Sequence, residues 1–244
     1  MSDFAFQLLL TLDATLRVAT PLILCAMAGI FSERSGIIDI SLEGKLLMGA
    51  FVAATVASLS GSVWLGAICA IAACVILALI HGFACITHRG NQVVSGLAIN
   101  MLASGLTVTV GIALFRQGGQ TPPLGNTERF RPIDWWFVDA FDAIPVLGTI
   151  YRELISNHNV LVYVALVMVP ATALLLYKTR FGLRLRAVGE VPEAVDSAGV
   201  SVTWLRYRAV ILTGLFCGLA GAYLSTAQGA GFVREMSAGK GYIA

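Results

Sequence analysis

Two uninterrupted apolar runs constrain this chain more than anything else in it. Val63 to Ile86 reads VWLGAICAIAACVILALIHGFACI, 24 residues without a carboxylate, lysine or arginine, and Gln92 to Phe115 is a second such run of 24. A water-facing helix cannot stay uncharged on every side over that length, whereas a helix crossing a hydrocarbon core of about 30 Å needs roughly 20 apolar residues. Val160 to Tyr177 adds 18 residues of the same character and Ala209 to Ala227 adds 19. Backbone amides in lipid have no water to bond, so each run must be a helix, and the short alternating segments of a β-barrel are absent. Composition agrees: 57% of the 244 residues are apolar and 12% charged, against roughly 45–50% and about 25% in ordinary soluble domains. The chain reads as an all-α, polytopic integral membrane protein, with lipid as one of its partners. A net charge of +2 gives no argument for nucleic acid.

Charge in the loops sets the orientation. Lys178 to Arg208 carries six basic residues against three acids, and Arg116 to His158 carries four against five. Basic loops stay inside, so the first is expected in the cytoplasm and the second outside. His88 and Arg89 then fall inside and the turn at residues 58–62 outside. Tyr177, Trp204 and Tyr207 would flank the inner interface and Trp64 the outer one, as an aromatic belt does. Trp135, Trp136 and Phe137 in the outer segment suit the lipid interface better than a soluble partner.

Two stretches do not fit the simple pattern. Leu46 to Leu59 is only 14 residues, and extending it back to Ile37 takes in Asp39, Glu43 and Lys45. Val18 to Phe31 is also 14 residues, contains Pro21 and follows the i,i+4 pair Asp13 and Arg17. Short or interrupted apolar segments mark broken helices at transporter sites. Asp39 and Glu43, four apart, would share a helix face, and a carboxylate at depth costs several kcal/mol unless paired or wet. The residues alone leave two readings open: a solvated cytoplasmic loop, or a re-entrant or broken helix near the N-terminus on the transport path.

Within the second long run, Gly96, Asn100, Ser104, Thr107 and Gly111 recur at spacings of four and three and so share one face. That small, polar face should look into the bundle, either as helix-contact surface or as substrate lining, which makes Asn100, Ser104 and Thr107 path candidates beside Asp39 and Glu43. Gly214, Gly218 and Ala222, with Gly221, form a small-residue ridge suited to helix packing. In RAVGEVPEAVDSAGVSV, Pro192 stands where a first helical position would be and Gly199 where a helix would stop, with Glu193 at the positive end of the dipole. A helix of about two turns cannot persist alone, so this cytoplasmic segment must pack on something. All five cysteines lie in apolar runs without metal-ligand or redox spacing and read as packing residues; no metal site is expected.

The segments LRVATPLILCAMAGIFSERSGIIDISLEGKLLMGAF, NQVVSGLAINMLASGLT and LYKTRFGLRLRAVGEVPEAVDSAGVSVTWLRYRAV resemble those of the membrane-spanning permease subunits of bacterial ABC importers for nucleosides and simple sugars, relatives of the ribose and branched-chain amino-acid permeases. The resemblance covers nearly the whole chain. It implies a single transmembrane permease domain over residues 1–244, with a cytoplasmic coupling helix in which Glu193, Ala194 and Gly199 occupy the family's Glu-Ala…Gly positions. Arg184, Arg186 and Glu190 beside it join them as candidates for coupling to an ATPase. It favours the re-entrant or broken reading of the stretch around Asp39 and Glu43. Family members continue past GKGYIA for about two more apolar segments, so a C-terminally truncated chain, a fragment lacking the last helices, is expected.

The resemblance further implies a multi-pass protein of the bacterial inner (plasma) membrane working with an ATP-binding cassette subunit, a soluble substrate-binding (lipo)protein and a second permease subunit, identical or not. ATP and Mg²⁺ would sit on the partner; this chain has no Gly-x-x-x-x-Gly-Lys-Ser/Thr loop and no cofactor or catalytic residue of its own is expected. The competing reading is a stand-alone secondary transporter or channel using intramembrane carboxylates, which usually carries internal repeats; none is evident. A membrane-embedded enzyme is disfavoured by the lack of any His, Cys or acid constellation.

Overall fold

The computed structural model describes residues 3–133 and 156–244. Nine helices and two short strands occur among them: α1 (Asp3–Arg34), α2 (Leu42–Ser60), α3 (Val63–Gly82), α4 (Gln92–Phe115), β1 (Pro132–Ile133), β2 (His158–Asn159), α5 (Val160–Lys178), α6 (Arg180–Glu190), α7 (Pro192–Ser197), α8 (Val202–Tyr223) and α9 (Lys240–Ile243). α3 and α8 each continue through a wide π turn, Phe83–Thr87 and Leu224–Gln228. Six helices among the described residues are long and apolar enough to cross a membrane: Gln7–Arg34, Leu42–Ser60, Val63–Thr87, Gln92–Phe115, Val160–Lys178 and Val202–Gln228. The chain is a multi-pass, all-α membrane protein. Trp135, Trp136 and Phe137 lie outside the described residues.

Local sequence sets the helix ends. Asn91 caps α4, its Oδ1 accepting the Val93 and Val94 amides at 3.0 and 3.2 Å. Thr179 caps α6 through the Gly182 amide at 3.1 Å, and Ser201 caps α8 through Trp204 at 3.3 Å. Only Gly61 and Ser62 separate α2 from α3, and Gly61 adopts the left-handed conformation (φ +69°) that closes the α2 end. These two helices therefore run antiparallel.

At the centre, α8 packs against α1, α2 and α3, and α2 against α3 and α4. The glycine ridge of α8 is what permits this. A Cβ on Gly214 would lie 2.7 Å from the Val75 Cα, on Gly218 2.5 Å from the Ile71 Cα, and on Gly221 2.6 Å from the Ala50 amide nitrogen. Those neighbours are backbone atoms, so no rotamer change relieves the overlap. The ridge is spent on contacts within the chain.

The two ends of the bundle are distinct. One gathers the turn after α3 with α7 and the start of α8: Arg89, Gln92, Pro192, Glu193, Asp196 and Arg206 border a common cleft. The other gathers Trp64, stacked edge-on to Phe130 at 5.0 Å, the β1–β2 pair and the bridge between Gln120 and Val233. The segments that loop charge assigns to one side gather at one end and those it assigns to the other side at the opposite end, and the two ends are called inner and outer after that expectation. Tyr177 and Trp204 lie exposed near the inner end, beneath the guanidinium groups of Arg186 (5.0 Å) and Arg208 (4.9 Å).

Three boundaries differ from the sequence reading. α1 begins well before Val18; Asp13 and Arg17 pair along it, partly buried, at 3.1 Å, so their charges do not interrupt the helix. α8 begins at Val202, not Ala209, so Arg206 and Arg208 ride on its first turns rather than in a loop. The basic segment also holds two helices rather than one, since α6 precedes α7. α6 shows its apolar face, Gly182, Leu185 and Val188, to the bundle and Arg180 and Arg184 to the other side.

Candidate functional site

The charged stretch after α1 lies within the bundle. Gly36 (φ +78°) turns the chain at the inner end, against Gly189 and Arg206. From there the backbone climbs beside α4. The Ile38 amide donates to Gln92 Oε1 (2.7 Å), the Asn100 Nδ2 donates to the Ile40 carbonyl (3.1 Å), and the Gly44 amide donates to Asn100 Oδ1 (2.8 Å). Eight residues of α4 separate Gln92 from Asn100, about 12 Å of rise. α2 thus starts inside the bundle, after an interruption at residues 35–41 that belongs to neither helix. α2 itself is continuous.

That depth explains the pairing of Asp39. Its carboxylate accepts the Ser41 amide at 3.0 Å and the Ser41 hydroxyl at 2.5 Å, and the other oxygen is ion-paired to the Lys45 ammonium. His81 Nε2 lies 3.8 Å from the same carboxylate and 3.3 Å from the Ile38 carbonyl, while Nδ1 meets the Ser95 hydroxyl at 3.1 Å. Lys45 is 0% exposed. Ionic groups taken out of water are tolerable only when mutually satisfied, and removing one member typically costs about 3–5 kcal/mol. The cluster pins the start of α2 to the connector and to α3.

Glu43 is used differently. Its two oxygens accept the backbone amides of Gly239 (2.8 Å) and Gly241 (2.7 Å), at the start of α9. This holds the segment that returns from the outer end of α8 back towards the middle of the bundle. Along that return Thr121 Oγ1 accepts the Phe232 amide (2.9 Å), the Ser104 hydroxyl donates to Glu235 Oε1 (2.5 Å), and Asn100 Nδ2 also donates to the Tyr242 hydroxyl (2.9 Å).

Glu43, Asn100 and Ser104 therefore meet at one open cleft of about 460 Å³, together with Leu47, Met101, Glu235 and Tyr242. Asp39 and Thr107 are buried beside it rather than in it; Thr107 donates to the Ser104 carbonyl at 3.0 Å. The shared face of α4 is real: Gly96 lets the connector approach closely, Gly111 lies in ordinary contact range of Phe51 of α2, and Asn100 and Ser104 are left to the cleft. Sequence reasoning missed Lys45, Glu235 and Tyr242. Lys45 was visible as a charge six residues from Asp39, but nothing in the spacing ties Glu235 or Tyr242 to a helix more than a hundred residues earlier.

At the inner end, α7 is anchored by Val195, which packs with Val188 and Leu205. Gly199 has φ +77°; its amide donates to the Asp196 carbonyl (2.9 Å) and the Val200 amide to the Val195 carbonyl (3.2 Å), closing the helix. Glu193 and Ala194 stay exposed beside Arg184 and Glu190 of α6, whereas Arg186 folds back over Tyr177. Together α6 and α7 present a polar surface.

A multi-pass bundle with a polar cleft at depth and a braced surface helix at its inner end defines a membrane transport protein. Its sequence places it more closely. Residues 11–244 match the family described as branched-chain amino acid transport system / permease component. The chain is 37% identical to the guanosine ABC transporter permease protein NupQ of Bacillus subtilis, over 99% of this chain and 75% of that one. It is 36% identical to the putative glucose ABC transporter permease protein TsgC13 of Haloferax volcanii (96% and 68%) and 35% identical to the nucleoside ABC transporter permease protein NupC of Lactococcus lactis (92% and 70%). No solved structure matches it. The chain belongs to this permease family, whose members are transport components rather than enzymes.

Proposed function

We propose that the chain is the permease subunit of an ATP-driven importer that moves nucleosides or simple sugars into the cytoplasm. The observation that carries this is the placement of Glu235. Its exposed carboxylate is held level with Ser104, twelve residues or about 18 Å along the 24-residue helix α4. Lipid at that depth would cost such a group several kcal/mol, so this flank faces water or protein. An aqueous path closed by a second permease subunit meets that requirement. Asn100, Ser104 and Glu43 line it; Asp39 and Thr107 support it from behind.

At the inner end, α6 and α7 are the docking surface for an ATP-binding cassette subunit, with Arg184, Glu190, Glu193 and Ala194 exposed to it and Gly199 and Arg186 holding its shape. ATP and Mg²⁺ bind on that subunit. A soluble binding protein delivers solute to the outer end. The relatives whose names include guanosine, nucleoside and glucose support this range of cargo. The test is reconstitution with the ATPase and binding protein in proteoliposomes: uptake of guanosine or of glucose should require ATP on the ATPase side. Equal uptake without ATPase or ATP would contradict the proposal and favour a stand-alone transporter.

A further inference from the structure

The cleft beside α4 has a hydrogen-bonding character that narrows what can pass it. Both amide hydrogens of Asn100 are already given, to the Ile40 carbonyl and the Tyr242 hydroxyl. The Ser104 hydroxyl hydrogen is given to Glu235 Oε1. What these side chains have left is acceptor capacity: Glu235 Oε2, the remaining lone pairs of Glu43, and the Ser104 oxygen. The Tyr242 hydroxyl hydrogen is the one side-chain donor still free among the groups named. An acceptor-rich cleft with two carboxylates disfavours phosphate and carboxylate solutes and matches neutral ones rich in hydroxyls. The cis-diol of a ribose presents two donors side by side, which fit Glu235 Oε2 and the adjoining Ser104 oxygen.

The apolar boundary fits the rest of such a molecule. Met101 is 77% exposed and Tyr242 56%, and both border the cleft. An aromatic ring and a polarizable thioether are suitable surfaces for a flat heterocycle, where base–aromatic stacking contributes about 1–3 kcal/mol. The volume of about 460 Å³ lies within the roughly 300–1,000 Å³ of small-molecule sites.

We infer that the cleft formed by Ser104, Glu235, Tyr242 and Met101 is a selectivity station on the path, which recognises a neutral ribonucleoside through its cis-diol. Glu235 and Ser104 take the two hydroxyls and Tyr242 takes the base. This rests on the importer reading above and deepens it. It places part of the solute discrimination in the permease, in addition to whatever the binding protein supplies.

The test uses the complete transporter in proteoliposomes with one binding protein throughout. Initial uptake of guanosine is divided by that of 2′-deoxyguanosine for the parent chain, Glu235→Gln and Tyr242→Phe. Delivery by the binding protein cancels between variants, and a folding loss lowers both uptakes together, so the ratio isolates the station. Glu235→Gln should lower the ratio roughly tenfold, equivalent to about 1.4 kcal/mol, while Tyr242→Phe should leave it unchanged. If Glu235→Gln transports neither solute, the ratio is read in Ser104→Ala, where it should fall as well. An unchanged ratio in the active variant overturns the station while leaving the importer reading intact. Absence of ATP-dependent uptake of any nucleoside or sugar by the parent overturns both.

Discussion

Residues 37–45 and residues 190–199 are both short and both rich in charge, yet they use their charges in opposite ways. In the first, Asp39 and Lys45 are sealed inside the bundle and satisfied by each other, by Ser41 and by His81. In the second, Glu193, Asp196 and Glu190 stay in water while a single valine, Val195, is buried. The same residue types are therefore a structural pin at depth and an accessible surface at the membrane face. What separates them is the solvent, because a buried ionic group must be paired whereas an exposed one contributes little to stability.

The comparison breaks most easily at the pin. Lys45→Met leaves the Asp39 carboxylate buried without its cation, and a destabilisation of about 3–5 kcal/mol is expected. Membrane-inserted, detergent-stable protein should fall sharply, as measured by fluorescence-detected gel filtration after heating. The double variant Asp39→Asn, Lys45→Met should recover much of the loss. A single variant as stable as the parent would mean that the pair is not structural.

Glu43 sits between the two behaviours, holding backbone rather than a cation. Glu43→Gln should weaken the grip on Gly239 and Gly241 by about 1.5–3 kcal/mol, the usual contribution of hydrogen bonds to a charged group. Hydrogen exchange should then rise at residues 239–243 without a change in α2. Uniform exchange in both forms would show that other contacts hold the return segment.

For the exposed stretch the effect on stability is local, and the effect on coupling is the one to read. At Gly199 the backbone has φ +77°, and a Cβ there would meet nothing within 4 Å. Strain alone acts, roughly 1–2 kcal/mol for a side chain in the left-handed region, more for a β-branched one. Gly199→Val should leave membrane levels near normal and reduce ATPase pull-down and stimulated ATP hydrolysis. Ala194→Arg should do the same with no strain at all. Wild-type hydrolysis in both would remove α7 from the coupling surface.

The same contrast explains what could be read from the sequence. The long helices α3, α4 and α5 announce themselves because lipid demands apolar side chains on most of their surface, and α7 is marked by Pro192 and Gly199. α2 reads as too short because Glu43 and Lys45 look like the end of an apolar run; their partners, Gly239, Gly241 and Asp39, make them admissible inside it. α6 escapes notice because its three buried residues, Gly182, Leu185 and Val188, are spaced among arginines. The shared face of α4 is legible from spacing alone. That it closes a cleft against Glu235 and Tyr242 depends on a chain return that leaves no periodic trace.

Accessibility of Ser104 tests most directly whether this mid-depth flank is a path. In the assembled transporter, Ser104→Cys should react with a membrane-impermeant thiol reagent, since thiol chemistry requires the thiolate and hence water. Its rate should be a substantial fraction of that of Gly118→Cys at the exposed outer end, after subtraction of the parent's own cysteines. Leu102→Cys, on the same helix and exposed on its apolar side, should stay unreactive. Residue 104 should label and guanosine should slow that labelling; residues 104 and 102 equally silent, with residue 118 labelled, would contradict a path along this flank.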